Sequence, residues 1–283
     1  MIRILALLLA LAATASAGTI RIVAANLTSG NHQTYSPDNS NHSNPEGAGA
    51  RILKGLKPDI VLIQEFNTSI PVRQWVNATF GEEFSFVQEE SAEIPNGIIS
   101  RFPIVESGEW DDPKLENRDF IWARIALPDG TRMLAISVHL YSKKSEARTE
   151  EARELAWLVK ANTQPNERVV IGGDFNIRDV SEEALKELAQ VLSIPDVLPS
   201  DAAGNFHTNS PRNRPYDLVL VDPATQKLCT PARIAGSSFE SGLVFDSRIF
   251  APLGEVPPVQ PGDSAAPQMQ HMAVVRDFQF EQK

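Results

Sequence analysis

One ten-residue segment, 168–177, constrains the fold more than any other part of the chain. Its apolar β-branched run, 169–171, predicts a short buried strand. Two glycines follow, and they let the backbone turn tightly because they carry no side chain. Asp174 and Asn176 come next, two residues apart, so their side chains can point the same way from an extended strand end. Such a pair suits a metal, a water or a phosphate oxygen, although Gly, Asp and Asn are also common in ordinary turns.

The first 17 residues have the pattern of a secretory signal peptide. Arg3 gives a positive start, an apolar run covers 4–13, and small residues occupy 15 and 17. We therefore expect cleavage before Gly18 and export of the mature chain, so that the protein is secreted or periplasmic. Ten apolar residues are too few to span a bilayer, which argues against a membrane anchor and against stable membrane insertion.

The remaining chain, 18–283, contains no convincing boundary and is predicted to form one domain, which we expect to be a monomer. Cys229 is the only cysteine, so no internal disulfide can form. The net charge of the full chain is −10. An acidic chain gains no general attraction to nucleic acid, which argues against a tight non-specific duplex binder but does not exclude a nuclease.

Strand and helix patterns interleave along the chain. Strands are predicted at 20–25, 60–63, 84–88, 118–127, 133–138, 169–171, 216–221 and 272–280, and helices at 49–56, 70–80, 145–161 and 181–192. Ser145 is expected to cap the third helix. The interleaving, together with several hairpin-like strand pairs, predicts an α/β or α+β domain with mixed sheets. The polar segment 27–49 and the proline-rich segment 251–270 are predicted loops.

Six polar residues lie at the ends of these predicted strands. They are Asn26, Glu65, His139 and Asp174, which follow strands, and Asp217 and His271, which lie at the start of strands. If the last two strands run antiparallel to the others, all six residues reach one edge of the sheets. Three carboxylates held close together would repel one another, and a bound cation would remove that cost. A metal site is therefore expected.

The expected ligands are mostly hard oxygen atoms, from Glu65, Asp174, Asn26 and Asn176. The chain has no cysteine cluster and no closely spaced histidine pair. This donor set favours Mg²⁺, with Mn²⁺ or Ca²⁺ as alternatives, over Zn²⁺.

Seven short motifs carry a family resemblance. They are Ala25-Asn26, Ile63-Gln64-Glu65, Asn96-Gly97 through Ser100-Arg101, Ser137-Val138-His139-Leu140, Gly172-Gly173-Asp174-Phe175-Asn176, Tyr216-Asp217-Leu218-Val219 and Gln270-His271. In this order they resemble the endonuclease/exonuclease/phosphatase superfamily, which includes pancreatic-type DNases, apurinic endonucleases, bacterial sphingomyelinases and inositol-phosphate phosphatases. The resemblance covers nearly all of the mature chain. It implies a four-layer fold, with two face-packed sheets between helices, and phosphoester hydrolysis that depends on a divalent metal.

The resemblance also implies roles around the metal. Glu65 would be the principal ligand, with Asn26 nearby, and Asp174 and Asn176 would position or deprotonate the attacking water. For Asn26, a role as a strand-end turn residue is an alternative.

The same resemblance assigns the phosphate side of the site. His271 would bind the phosphate or shuttle a proton, oriented by Asp217, and His139 would be a second phosphate-side histidine. Arg118 is placed like a phosphate-contacting arginine of the DNases, with a solvated surface charge as the alternative. For the two histidines the alternative is a structural role.

One position departs from the family pattern. The family usually has Asp immediately before the last histidine, and here Gln270 occupies that place. Its amide oxygen remains available to a metal, so we expect weaker or differently selective metal binding.

The expected function is a metal-dependent phosphoesterase, more specifically a phosphodiesterase. Its substrate is expected to be a small molecule, a lipid headgroup or a nucleic acid. The alternatives are a nuclease that acts on DNA or RNA, and a binding protein that lost activity through Gln270.

Overall fold

The computed structural model describes residues 17–28, 34–35 and 47–281. The signal-peptide prediction lies outside the described residues, apart from Ala17, which begins the first strand. Most of the polar segment 27–49 also lies outside them. Export and the single-domain organisation therefore stay predictions.

The described residues form strands, helices and two 3-10 turns that alternate along the chain. In order, the strands are β1 (Ala17–Ala25), β2 (Ile60–Ile63), β3 (Ser85–Gln88), β4 (Gly97–Ser100), β5 (Ile104–Trp110), β6 (Phe120–Ala126), β7 (Arg132–His139), β8 (Glu167–Asp174), β9 (Asp217–Val221), β10 (Cys229–Thr230), β11 (Ala232–Ile234), β12 (Ser237–Phe239), β13 (Leu243–Phe245) and β14 (Ala273–Glu281). The helices are α1 (Ala48–Leu56), α2 (Val72–Thr79), α3 (Ser145–Asn162), α4 (Glu183–Leu188) and α5 (Pro223–Gln226), and the 3-10 turns are Leu253–Glu255 and Asp263–Ala265.

Two large mixed sheets dominate this part of the chain. Within the described residues, one has seven strands in the order β10-β14-β1-β2-β4-β3, with β13 also paired to β14. The other has five strands in the order β5-β6-β7-β8-β9. Strands β1 and β2 are parallel, as are β7 and β8, whereas β14 and β9 run antiparallel to their neighbours β1 and β8. The predicted mixed sheets are confirmed, and so is the predicted direction of the last two strands.

Three apolar clusters hold the layers together. One lies between the two sheets and includes Ile22, Leu62 and Val219. A second packs α1 and α2 on the outer face of the seven-stranded sheet, and a third packs α3 and α4 on the outer face of the five-stranded sheet. Burial of the β-branched strands on both faces explains why their sequences are continuously apolar. The predicted four-layer sandwich is therefore confirmed. None of the described helices combines the length and hydrophobicity needed to cross a lipid bilayer.

The proline-rich segment 251–270, predicted to be a loop, contains two short structural repeats. Residues 251–260 and 261–270 each contain one of the 3-10 turns, and each ends with a buried apolar residue, Val259 or Met269, followed by glutamine. The second half is anchored by Asp263, which pairs with Arg51 at 2.5 Å in the protein interior. This segment delivers His271 to the start of β14.

Two helix predictions need correction. Lys144, not Ser145, precedes the first turn of α3, and no side chain caps that end. The segment before the helix is instead tied to it, because both Glu151 carboxylate oxygens accept the Tyr141 N–H at 3.0 Å. The helix predicted at 181–192 is only Glu183–Leu188. Its later start is explained by the Asp179 carboxylate, which accepts the N–H and the hydroxyl of Ser181 and holds that residue in a turn.

Gly173 provides a test of how closely the two sheets approach beneath the site. Its φ is +139°, and a Cβ there would overlap the Val138 carbonyl and lie 2.6 Å from the Gln64 amide nitrogen. We predict that Gly173→Ala lowers the free energy of unfolding by at least about 2 kcal/mol, through both backbone strain and overlap. The control is Gly254→Ala, where a Cβ meets no atom within 4 Å and the expected change is within about 0.5 kcal/mol. Urea denaturation measures both values, and equal effects of the two variants would contradict the packing described.

Candidate active site

Asp174, the last residue of β8, lies at the centre of the candidate site. Its carboxylate is buried, with Oδ2 accepting a hydrogen bond from the Asn26 side-chain amide at 3.0 Å. Its Oδ1 accepts the backbone N–H of Asn176 at 2.8 Å. Asn26 follows β1, so this one carboxylate is held by residues from both sheets.

Two histidines approach the same carboxylate oxygen. The Nε2 atom of His139 lies 3.4 Å from Asp174 Oδ2, and that of His271 lies 3.8 Å away. His139 ends β7, and the sheet register places it directly opposite Asp174. His271 lies two residues before β14 of the other sheet.

Asp217 pairs with His271 and with Asp174 in different ways. Its Oδ2 lies 2.7 Å from His271 Nδ1, a hydrogen bond that leaves Nε2 of the ring facing Asp174. Asp217 also starts β9 directly opposite Asp174, so two carboxylates face one imidazole. A carboxylate on one ring nitrogen fixes which nitrogen can act on a substrate.

Glu65 follows β2 and is also buried. Its backbone has φ +49°, in the left-handed region that residues with side chains seldom adopt. Its negative charge is one of those that raise the pKa of His271. Glu65 therefore belongs to the same electrostatic environment as the four residues around Asp174.

Arg118 is buried, so the surface-charge alternative is wrong. Its Nε donates to the His139 carbonyl at 2.6 Å, and Nη1 donates to the Asn117 side chain at 3.1 Å. The Asn176 side chain donates in turn to the carbonyl of Leu140 at 2.9 Å. Arg118 and Asn176 thus fix the end of β7 that carries His139.

Gln270 differs from the other predicted site residues. Its side chain is exposed, whereas the others are buried. Its carbonyl accepts the Ser210 N–H at 2.6 Å, which fixes the chain next to His271. The predicted role of its amide in metal binding stays a prediction.

Burial and neighbouring charges give the central groups unusual proton affinities. Burial is the main cause that raises the pKa of Asp174, and with His271 lowering it and Asp217 raising it the value is about 7. Burial alone would lower the pKa of His271, but the charges of Asp217 and Asp174 outweigh it and raise the pKa to about 9. Burial, then Arg118 and His271, lower the pKa of His139 well below its ordinary value. Near neutral pH the site thus combines a protonated His271 with a neutral His139.

The fold and this geometry can be compared with known proteins. The family model described as "Endonuclease/Exonuclease/phosphatase family" matches residues 39–239, which is more than half of the chain. The chain belongs to the endonuclease/exonuclease/phosphatase family. Enzymes of this family hydrolyse phosphoester bonds. No curated protein sequence is significantly similar to the chain.

Three solved structures share the fold over nearly their whole length. A family protein from Bacteroides vulgatus has a TM-score of 0.60 and 15% identity, over 93% of this chain and 99% of that one. The 3′ phosphatase NExo from Neisseria, bound to a product DNA hairpin, has a TM-score of 0.58 and 15% identity, over 92% and 100%. TDP2 from D. rerio, complexed with a single-strand DNA product, has a TM-score of 0.55 and 15% identity, over 92% and 98%. At this identity the likeness establishes the fold alone.

The donor set in this member of the family fits a divalent cation. One ligand atom each from Asp174, Asp217 and His271 lie within 4.8 Å of one another. The buried Oδ1 atoms of Asn26 and Asp217 accept no hydrogen bond from any described residue. Buried oxygen acceptors without donors are costly in a protein interior, and a cation would satisfy them.

Three supporting residues have no role in the sequence analysis. Ser137 accepts a hydrogen bond from the Gln64 amide at 2.8 Å and donates to the carbonyl of Ile63 at 3.0 Å, which links the two sheets beneath the site. Thr208 accepts the Asp217 N–H at 2.8 Å, and the Tyr216 ring packs 5.5 Å from that of His271. Ser137 and Tyr216 lie within quoted motifs, but Thr208 lies in a loop without a recognisable pattern.

The pairing of Asp217 with His271 can be tested by titration. The Asp217 carboxylate stabilises the imidazolium form, so we predict that Asp217→Asn lowers the pKa of His271 from about 9 by at least about one unit. NMR titration of the ring proton in EDTA, assigned with a His271→Gln variant, measures the value. Asp196→Asn, at an exposed position, serves as the control and should leave the pKa of His271 unaltered. An unchanged pKa in Asp217→Asn would contradict the pairing.

Proposed function

We propose that the chain is an exported, divalent-metal-dependent phosphoesterase that hydrolyses phosphodiesters by attack of an activated water. The observation that carries the proposal is the buried carboxylate of Asp174, which has the Asn26 amide and two imidazoles around it. The phosphoryl oxygens of a phosphodiester gain negative charge as water attacks. Imidazole N–H groups next to those oxygens would stabilise that charge. The signal-type N-terminus supports export to the periplasm or the medium.

Mg²⁺ is the proposed cofactor, with Mn²⁺ or Ca²⁺ as alternatives, because the donors are mostly carboxylate and amide oxygens. Glu65 and Asn26 would hold it, and the buried oxygen of Asp217 that accepts no hydrogen bond from the described residues is a further available donor. When bound, the cation would offset charge on the phosphate oxygens. Because Gln270 is exposed, it contributes less to metal binding in this proposal than its place in the motif suggests.

The protein's own groups divide the remaining work. Asp174 accepts a proton from the water, since a carboxyl group with a pKa of about 7 accepts protons near neutral pH. Asn176 holds the end of β8 through its backbone N–H to Asp174. His271, protonated on both ring nitrogens, donates its Nε2 proton to the oxygen of the departing alcohol as the bond between that oxygen and phosphorus breaks. Asp217, on Nδ1, stabilises the imidazolium before this transfer. His139, neutral at the same pH, offers a further donor on the phosphate side, and Arg118 fixes its position.

A nuclease activity is the second candidate. It is supported by the two family structures that contain DNA products, NExo and TDP2. The net charge of −10 instead favours a small-molecule or lipid-headgroup diester. A parallel screen with DNA, RNA, sphingomyelin and inositol phosphates would distinguish these substrates.

The reaction itself is tested with a generic diester. We predict that Mg²⁺ or Mn²⁺ supports hydrolysis of bis-p-nitrophenyl phosphate and that EDTA abolishes it.

Asp174→Ala and His271→Ala should each lower kcat/KM by about 100-fold or more while the protein stays folded, because each removes a proton-transfer group. Asp196→Ala and His207→Ala are matched controls outside the network and should retain wild-type rates. Absence of turnover with every divalent ion would favour the binding-protein alternative, and near-wild-type rates of the two site variants would show that the site lies elsewhere.

A further inference from the structure

Tyr35 is fully buried where β1 and β2 end. Its hydroxyl accepts the Leu27 N–H at 2.9 Å, and it lies 2.9 Å from the carbonyl oxygen of Ala25 and 3.1 Å from that of Gln64. A hydroxyl has a single hydrogen, so these two carbonyl groups share it. One oxygen atom therefore ties together the ends of two parallel strands.

The two carbonyl groups belong to the residues immediately before Asn26 and Glu65. Each carbonyl lies in the same rigid peptide plane as the nitrogen of the residue that follows. The Tyr35 hydroxyl thus fixes the planes from which both of these side chains project. Glu65 needs such a restraint, because its left-handed backbone persists only where its surroundings impose it.

The Tyr35 ring is itself held in place. Its edge packs against Phe66 and Trp75, with ring centroids 6.4 Å and 5.8 Å apart. The Trp75 indole N–H donates to the Tyr35 carbonyl. Phe66 directly follows Glu65, so the aromatic cluster restrains the backbone on the other side of that residue as well.

The hydroxyl keeps its proton under ordinary conditions. Burial raises the pKa of Tyr35 well above its usual value, the Leu27 hydrogen bond opposes this, and the charge of Glu65 adds to the increase. The group therefore remains a hydrogen-bond donor to the two carbonyls.

We propose that Tyr35 is a positioning residue for the divalent cation, acting through the peptide planes that orient Asn26 and Glu65. This role rests on the proposed function, because it assumes that these two side chains hold the metal. Partners that orient ligands in this way commonly contribute 10- to 100-fold to metal affinity, by order of magnitude.

The test is Tyr35→Phe, which removes the hydroxyl and leaves the ring in the aromatic cluster. We expect the Kd for Mn²⁺, measured by EPR titration without substrate, to rise by about 10-fold or more. In the diesterase assay the concentration of metal giving half-maximal rate should rise, while kcat at saturating metal largely recovers. Val76→Ala is the control, because it removes buried volume from the same core but no hydrogen-bonding group. It should lower Tm and leave Mn²⁺ binding unchanged.

Two results would overturn the role of Tyr35. One is wild-type Mn²⁺ affinity in Tyr35→Phe, and the other is an equal loss of affinity in Val76→Ala, which would indicate general destabilisation. If Tyr35→Phe does not fold, Trp75→Phe replaces it. It removes the donor to the Tyr35 carbonyl together with part of a buried ring, and Val76→Ala controls for the lost volume. That variant should weaken Mn²⁺ binding, and unchanged binding would again overturn the role. Wild-type protein that binds no Mn²⁺ would instead contradict the proposed function itself.

Discussion

The contact between Asp174 and Asn26 joins two sheets, and the rest of the site depends on that junction. Asn26 follows β1 and His271 precedes β14 of the seven-stranded sheet, whereas Asp174 and Asp217 belong to strands of the five-stranded one. The groups can meet only because the apolar faces of both sheets pack against each other. The same packing removes water from the carboxylates, which raises the pKa of Asp174 and makes a cation favourable nearby. Core stability and site chemistry therefore have one physical origin.

Much of this arrangement was predictable because strand ends are visible in the sequence. A buried strand such as β2 is continuously apolar, and the first polar residue after it marks where the strand leaves the core. Asn26 directly follows β1, Glu65 lies two residues after β2, and His139 and Asp174 are the last residues of β7 and β8. Their convergence then depended only on strand direction, and β9 and β14 run antiparallel to their neighbours as expected. The four-layer architecture came from the family resemblance, since periodicity alone predicted only mixed sheets.

Other features had no signal in the sequence, for physical reasons. The short strands β10 to β13 contain two or three residues each, too few to show a period. The burial of Arg118 depends on main-chain carbonyls of β7 and its end, and local composition cannot report such long-range partners. A capping rule based on Ser145 failed, because no side chain caps the start of α3. Glu151 instead binds the N–H of Tyr141, which lies before the helix, and a local capping pattern does not report that contact. Tyr35 lies in a polar segment, and only its contacts with the ends of β1 and β2 distinguish it.

The central claim is that side chains from both sheets gather around one divalent cation. Crystals soaked in Mn²⁺ and measured by anomalous diffraction test this most directly. We predict an anomalous peak in the cluster formed by Glu65, Asn26, Asp174, Asp217 and His271, with the Glu65 carboxylate at a direct ligand distance of about 2.0–2.6 Å. A peak elsewhere on the protein, with none in this cluster, would contradict the account.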